Sequence, residues 1–113
     1  GELNQVLLHL FVNAAHAIAE RPDGARGTIR VRTGVVDEEV QIRVQDDGPG
    51  IPVEIQGRIF DPFFTTKEPG SGIGQGLSTS RAIITQRHRG RLTFSSMPGW
   101  TEFVIALPVN PPA

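Results

Sequence analysis

The chain contains no cysteine, which removes disulfides and thiolate metal sites from consideration. It has no surplus of positive charge either: 11 Lys and Arg stand against 12 Asp and Glu, a formal net charge of −1. General nucleic-acid binding and adhesion to anionic membranes both need such a surplus, so neither is expected. No apolar run approaches the ~20 residues that cross a bilayer, and no signal-peptide layout opens the chain. There is no initiating methionine; the sequence starts inside a helical pattern, so a domain cut from a longer protein is expected. Internal repeats and low-complexity tracts are missing as well. What is left is 113 residues of ordinary globular composition, enough for one compact domain around one core.

Leu3 to Ala19 reads as a helix without Pro or Gly. Its wheel carries apolar residues on two sides: Leu3, Val6, Leu7, Leu10, Ala14, Ala17 and Ile18 on one, Leu8, Phe11, Val12 and Ala15 on the other. Only a narrow polar seam remains, made of Gln5, His9, Asn13, His16 and Glu20. That pattern predicts a helix buried nearly all round, with its seam forming the wall of a cavity. A Pro- and Gly-bearing loop over 21–27 is followed by two alternating strands that turn at Asp37-Glu38, an expected antiparallel hairpin with one face on a core. "DDGPGIP" (46–52) is a tight turn, 53–60 a short helix and 61–74 irregular. Gln75 to Arg89 is predicted helical, with Gly90 as the residue that ends it. A second hairpin crosses Pro98-Gly99, and 109–113 is a tail. The order predicts an α+β two-layer sandwich over 1–108, helices on one face of a mixed, largely antiparallel sheet.

Three stretches carry chemistry. Asp46 ends a half-buried strand and is followed by Gly48 and Gly50, which let backbone approach a ligand. A carboxylate there can accept from an exocyclic amine such as adenine N6; equally, Asp46 or Asp47 can simply cap the turn. Asn13 offers an amide oxygen suited to Mg²⁺, whose other ligands are commonly phosphates and water, or it can bond a neighbouring loop. His9 and His16 share its seam, but no third ligand stands at a readable zinc spacing. "GSGIGQGLS" (70–78) runs into a helix; its N–H groups and the positive helix end favour an anion. It matches neither G-x-G-x-x-G nor the Gly-Lys-Ser/Thr fingerprint. Lys67 upstream can add a charge at a terminal phosphate or stay solvated, and Ser78, Thr79 and Ser80 can serve as caps.

In order, the seam helix with Asn13, "DDGPGIP", "IFDPFFTTK" and "GSGIGQGLS" resemble the four sequence boxes of the sensor histidine kinase catalytic domain. That domain belongs to the ATPase superfamily shared with gyrase, the Hsp90 chaperone and the mismatch-repair clamps. The resemblance covers roughly residues 3 to 108 and implies an ATP-binding domain that phosphorylates a histidine elsewhere. It implies that Asp46 reads adenine N6, that Gly48, Gly50 and Ile51 build the base pocket, and that Asn13 binds Mg²⁺. It implies that Gly72, Gly74, Gly76 and Leu77 line the phosphate side, with Thr66, Lys67, His9 and His16 near the phosphates. Asn13, Lys67 and His9 are thereby the catalytic candidates. Thr101 resembles the threonine that shares a buried water with the adenine-reading aspartate, and Phe60, Phe63 and Phe64 resemble the anchors of the lid over ATP.

The sequence departs from that pattern at several places. His9 stands where such kinases carry a second asparagine and clamp ATPases a glutamate; Arg89 replaces a glycine; "PGWTEF" is one residue short. The strand expected before the first helix and the helical hairpin with the phospho-accepting histidine are not in this stretch. The resemblance therefore implies a cytoplasmic domain, monomeric when isolated, that uses ATP and Mg²⁺ and works with a separate helical dimerisation and phosphoacceptor domain and a downstream response regulator. Its parent can be membrane-anchored. A docking module that no longer binds nucleotide, and a related ATPase or serine kinase, are the alternatives.

Overall fold

The computed structural model of the protein describes residues 1–21, 26–62 and 73–109, with side chains described from residue 76 onward in the last stretch. Uninterrupted by Pro or Gly, Glu2–Ala19 forms α1. β1 (Ile29–Val36) and β2 (Glu39–Asp46) form a hairpin. Asp37 and Glu38 between them both take positive φ, 50° and 63°, the conformation whose twist matches that of paired strands. α2 is a single turn, Val53–Gln56. α3 spans Ile73–Ala82 and continues to Arg87 as a π-helical turn. β3 (Arg91–Met97) and β4 (Trp100–Pro108) close the chain as a second hairpin.

The four strands lie in the order β1-β2-β4-β3, each antiparallel to its neighbour. Alternation along them sends Val44, Phe103, Ile105 and Leu92 to one face, where they meet Val6 and Leu10 of α1 and Ile83 and Ile84 after α3. Each such burial contributes about 1.5–3 kcal/mol. The result is the expected two-layer α+β sandwich. The opposite face of the sheet is polar, with Arg43 on Glu102 at 2.9 Å and Arg91 on Glu39 at 2.6 Å.

Four expectations need correction. α1 is not buried all round: Val6, Leu10 and Ala14 are buried, while Leu8 is 59% and Val12 41% exposed, with Phe11 and Ala15 beside them. A two-layer domain gives a helix one face to bury; a second apolar flank on the wheel does not create a second layer. Leu8→Gln should therefore change unfolding free energy by less than ~0.5 kcal/mol in denaturant titrations; a cost of several kcal/mol would show that this flank is packed. β1, likewise, does not rest on a core. It is exposed throughout, Val35 at 69%, because it is an edge strand that α1 meets only sparsely. The short helix expected over 53–60 stops at Gln56. Finally, Gly90 is not the left-handed residue that ends α3; Arg89 is, at φ 55°. Gly90 is needed for another reason: a Cβ there would strike the carbonyl oxygen of Ala106. Its N–H donates to the Ile84 carbonyl at 2.9 Å, tying the chain that leaves the π-helical turn back onto it.

Candidate functional site

The C-terminal half of α1, the turn after β2, α2, and the β3–β4 hairpin surround a cavity of about 760 Å³, within the range of small-molecule sites. The polar seam of α1 does form one wall: Asn13, His16 and Glu20 line it together with Ala17. Asp46, Gly50 and Ile51 line it as well, as do Leu77 of α3 and Thr101 of β4.

Register explains the floor. Ile29 pairs with Asp46, Asp46 with Thr101, and Thr101 with Ser96. These four therefore form one row across the sheet, on the face that carries the core. Asp46 is only 5% exposed. One of its oxygens, Oδ1, accepts the Gly48 N–H at 2.9 Å. Burial pushes its carboxyl above the ordinary 3.8, the neighbouring Asp47 charge adds to this, and the Gly48 hydrogen bond opposes it. The two carboxylates divide the roles that the sequence leaves open. Asp47 Oδ1 accepts the Thr28 N–H at 2.9 Å and lies 3.5 Å from the Arg21 guanidinium, so it ties the end of α1 to the start of β1. Asp46 caps its own turn and faces the cavity as well.

The turn itself is pressed onto the hairpin. Gly50 has φ 89° and a Cβ there would collide with the Met97 carbonyl oxygen. The Gly99 N–H donates to the Pro49 carbonyl at 3.1 Å, and the Ile51 N–H to Ser96 Oγ at 2.8 Å. From the other side the Gln56 amide donates to the Ile51 carbonyl at 2.8 Å. Gly48 stands behind the wall rather than in it: its would-be Cβ lies 2.8 Å from the Ala17 carbonyl carbon. The turn can thus pass directly under α1.

His9, Gly76 and Phe60 are likewise not among the lining residues. His9 packs against Gly76, where a Cβ would collide with its Nδ1; Gly74 is in the first turn of α3. Phe60 makes edge contacts with Phe94 and Phe103 at 6.0 and 6.4 Å and lies 4.8 Å under the Arg81 guanidinium. It supports the cavity from behind, through Phe103, which lines it. Thr66, Lys67 and Gly72, with Phe63 and Phe64, lie outside the described residues. Sequence reasoning missed Ser96, Met97 and Pro98, which form the hairpin side of the wall. Ser96 had a signal: it follows Leu92 and Phe94 on the inward phase of β3, a hydroxyl where an apolar residue would continue the core.

Comparison with known proteins places this geometry. The chain matches the family described as "Histidine kinase-, DNA gyrase B-, and HSP90-like ATPase" over residues 1–111. It is 42% identical over 111 residues to the signal transduction histidine-protein kinase AtoS of Escherichia coli K12, covering 96% of this chain and 17% of that protein. Identity to the sensory histidine kinase/phosphatase NtrB of Klebsiella oxytoca is 40% over 117 residues, covering 96% and 32%. The chain thus spans less than a third of these relatives' length. Among solved structures, the nucleotide-free catalytic domain of histidine kinase ThkA superposes with a TM-score of 0.80 at 34% identity, covering 95% of this chain and 66% of that one. The mycobacterial sensor histidine kinase MprB gives 0.75 at 29% identity, covering 95% and 72%.

Proposed function

The chain belongs to the histidine kinase-, DNA gyrase B- and HSP90-like ATPase family, as a catalytic domain of the histidine-kinase kind, and from that premise we propose that it holds ATP in the cavity under α1 and hands the γ-phosphoryl to a histidine on a separate helical domain. The observation that carries the reading is Asp46. A carboxylate this buried, with one oxygen committed to Gly48 and the cavity beside it, costs stability unless a donor arrives. An adenine amino group is such a donor, and Thr101 beside it completes a polar floor facing the apolar side chains of Ile51, Ile59 and Leu77. Gly50 and Ile51 let the base lie against backbone; Leu77 and Ile59 supply apolar walls.

Asn13 and His16 extend along α1 from the base end of the cavity, and His9 lies one turn further along, against Gly76. That direction leads to the N-terminus of α3, where the positive end of the helix favours phosphate; Gly72, Gly74, Gly76, Thr66 and Lys67 belong to this side of the reading. Among the described residues no group of three or more His, Cys, Asp or Glu could hold a metal ion. A single amide oxygen from Asn13 fits Mg²⁺ that arrives with the nucleotide and keeps phosphate and water ligands. Bound there, the ion neutralises phosphate charge. The remaining work is positioning: the acceptor's neutral imidazole brings its own lone pair, so no general base is asked of this domain. The phosphohistidine would then supply an aspartate of a response regulator, in the cytoplasm.

Two measurements test this. Mixed with the phosphoacceptor domain of its parent protein and γ-labelled ATP, the chain should place an acid-labile label on the acceptor histidine and none on itself; a competent acceptor left unlabelled at high domain concentration would overturn the kinase reading. In calorimetric titrations, Asn13→Ala should weaken Mg·ADP by about tenfold and change metal-free ADP little. Equal losses in both would remove the metal role from Asn13.

A further inference from the structure

Ser96 Oγ has three polar neighbours. The Ile51 N–H lies 2.8 Å away, the Trp100 carbonyl oxygen 3.1 Å and Thr101 Oγ1 2.8 Å. A hydroxyl has one proton and two lone pairs. The amide can only donate, so it takes one lone pair. The carbonyl can only accept, so it takes the proton. What remains toward Thr101 is a lone pair, and the proton in that bond must come from Thr101. This is the assignment in which all three neighbours are satisfied across these part-buried contacts. Thr101 is 4% exposed and pairs directly with Asp46. With its proton turned toward Ser96, it offers the cavity lone pairs only, and the ionised Asp46 beside it also only accepts.

Resting on the nucleotide reading above, we propose that Ser96 is a positioning residue that sets the hydrogen-bond polarity of the base pocket, holding Thr101 as an acceptor so that the floor selects a 6-amino purine over a 6-oxo purine. A 6-amino group brings protons to a floor of acceptors. A 6-oxo group sets its lone pairs against those of Thr101 and leaves a buried acceptor unpaired. Without the Ser96 hydroxyl, Thr101 is free to rotate and donate to a 6-oxo oxygen. Selectivity would then be lost chiefly through improved binding of the wrong base. The same hydroxyl anchors the Ile51 N–H, so Ser96 also keeps the turn after β2 in place; a purely structural role would weaken every nucleotide alike.

The test is the ratio of dissociation constants for Mg·IDP and Mg·ADP, measured by calorimetry on the wild type, Ser96→Ala, Ser96→Thr and Thr101→Val. The wild type should favour ADP by about a hundredfold. Ser96→Ala should reduce that ratio about tenfold through tighter IDP, and Ser96→Thr should retain it. Thr101→Val should lower it because valine neither accepts from a 6-amino group nor opposes a 6-oxo group, with Ser96→Ala changing nothing further in the Thr101→Val background. If Ser96→Ala does not fold, Thr101→Val carries the test, and an unchanged ratio there overturns the proposal. Equal weakening of both nucleotides in Ser96→Ala overturns it too, as does a wild type that binds both equally, while nucleotide binding itself stands. A folded wild type that binds neither nucleotide overturns the nucleotide reading, and this proposal with it.

Discussion

Asp46→Asn should abolish the thermal shift that saturating Mg·ADP gives the wild type, yet leave the unliganded domain more stable than the wild type at neutral pH. Ligand at a hundredfold over its dissociation constant stabilises by about 2.7 kcal/mol, roughly 10 °C in a domain of this size. Asparagine keeps an oxygen for the Gly48 N–H but exchanges the charged acceptor for a neutral amide. The gain without ligand follows from burial, which raises the Asp46 carboxyl above 3.8, with Asp47 adding to it and the Gly48 hydrogen bond opposing. A group whose pKa is raised on folding contributes stability that is fully present below its unfolded value and lost as pH rises through its folded value. The wild type therefore stands without that contribution at neutral pH, and the amide has nothing to lose. Its advantage should shrink on acidification and vanish near pH 3.8. Melting curves from pH 7 downward, with and without Mg·ADP, decide both halves. A folded variant that keeps the full ligand shift sinks the adenine reading; one that is less stable than wild type at pH 7 sinks the account of the buried charge.

Gly50→Ala has the largest expected cost to the fold. Its φ of 89° lies in the left-handed region, where a side chain costs of order 1–3 kcal/mol. The new Cβ would also lie 3.0 Å from the Met97 carbonyl carbon and closer still to its oxygen, and both are backbone atoms that cannot swing aside. Together these should cost about 3–4 kcal/mol, lowering the melting temperature by more than 10 °C. Relief requires the turn to lift from the hairpin, breaking the Pro49–Gly99 and Ile51–Ser96 hydrogen bonds, so nucleotide binding should fall with stability. Gly57, where a Cβ meets nothing within 4 Å, is the control: alanine there should be close to neutral. A Gly50→Ala variant as stable as the control would mean that the turn does not rest on the hairpin.

Asp46 and Thr101 both line the cavity, and the sequence points to them differently. Asp46 is a carboxylate at a strand end before glycines, whereas Thr101 is indicated only by the family resemblance of its hairpin. The mistaken burial of α1 and β1 has a common cause. Leu8, Phe11, Val31 and Val35 have the periodicity of buried residues, but periodicity reports which face a residue is on and says nothing of whether another layer covers that face. The end of α3 differs from the expectation for a related reason: a glycine after a helix predicts a left-handed φ, whereas Gly90 is required by the Ala106 carbonyl, 16 residues further along the chain.

The sequence alone determined the elements, their order, the layer architecture and the chemistry available, because helix and strand periods, turn residues and the four boxes are local properties of the chain. Tertiary structure decided which of those residues act together. Only strand register sets Asp46, Thr101 and Ser96 in one row, only the docking of the turn on the hairpin gives Ser96 its three partners, and only the packing of loop against helix separates Asp47, held by Thr28 and Arg21, from Asp46 at the cavity. Adjacent identical side chains differ in surroundings here because burial and hydrogen-bond partners are supplied by segments distant in the chain, and no local pattern encodes them.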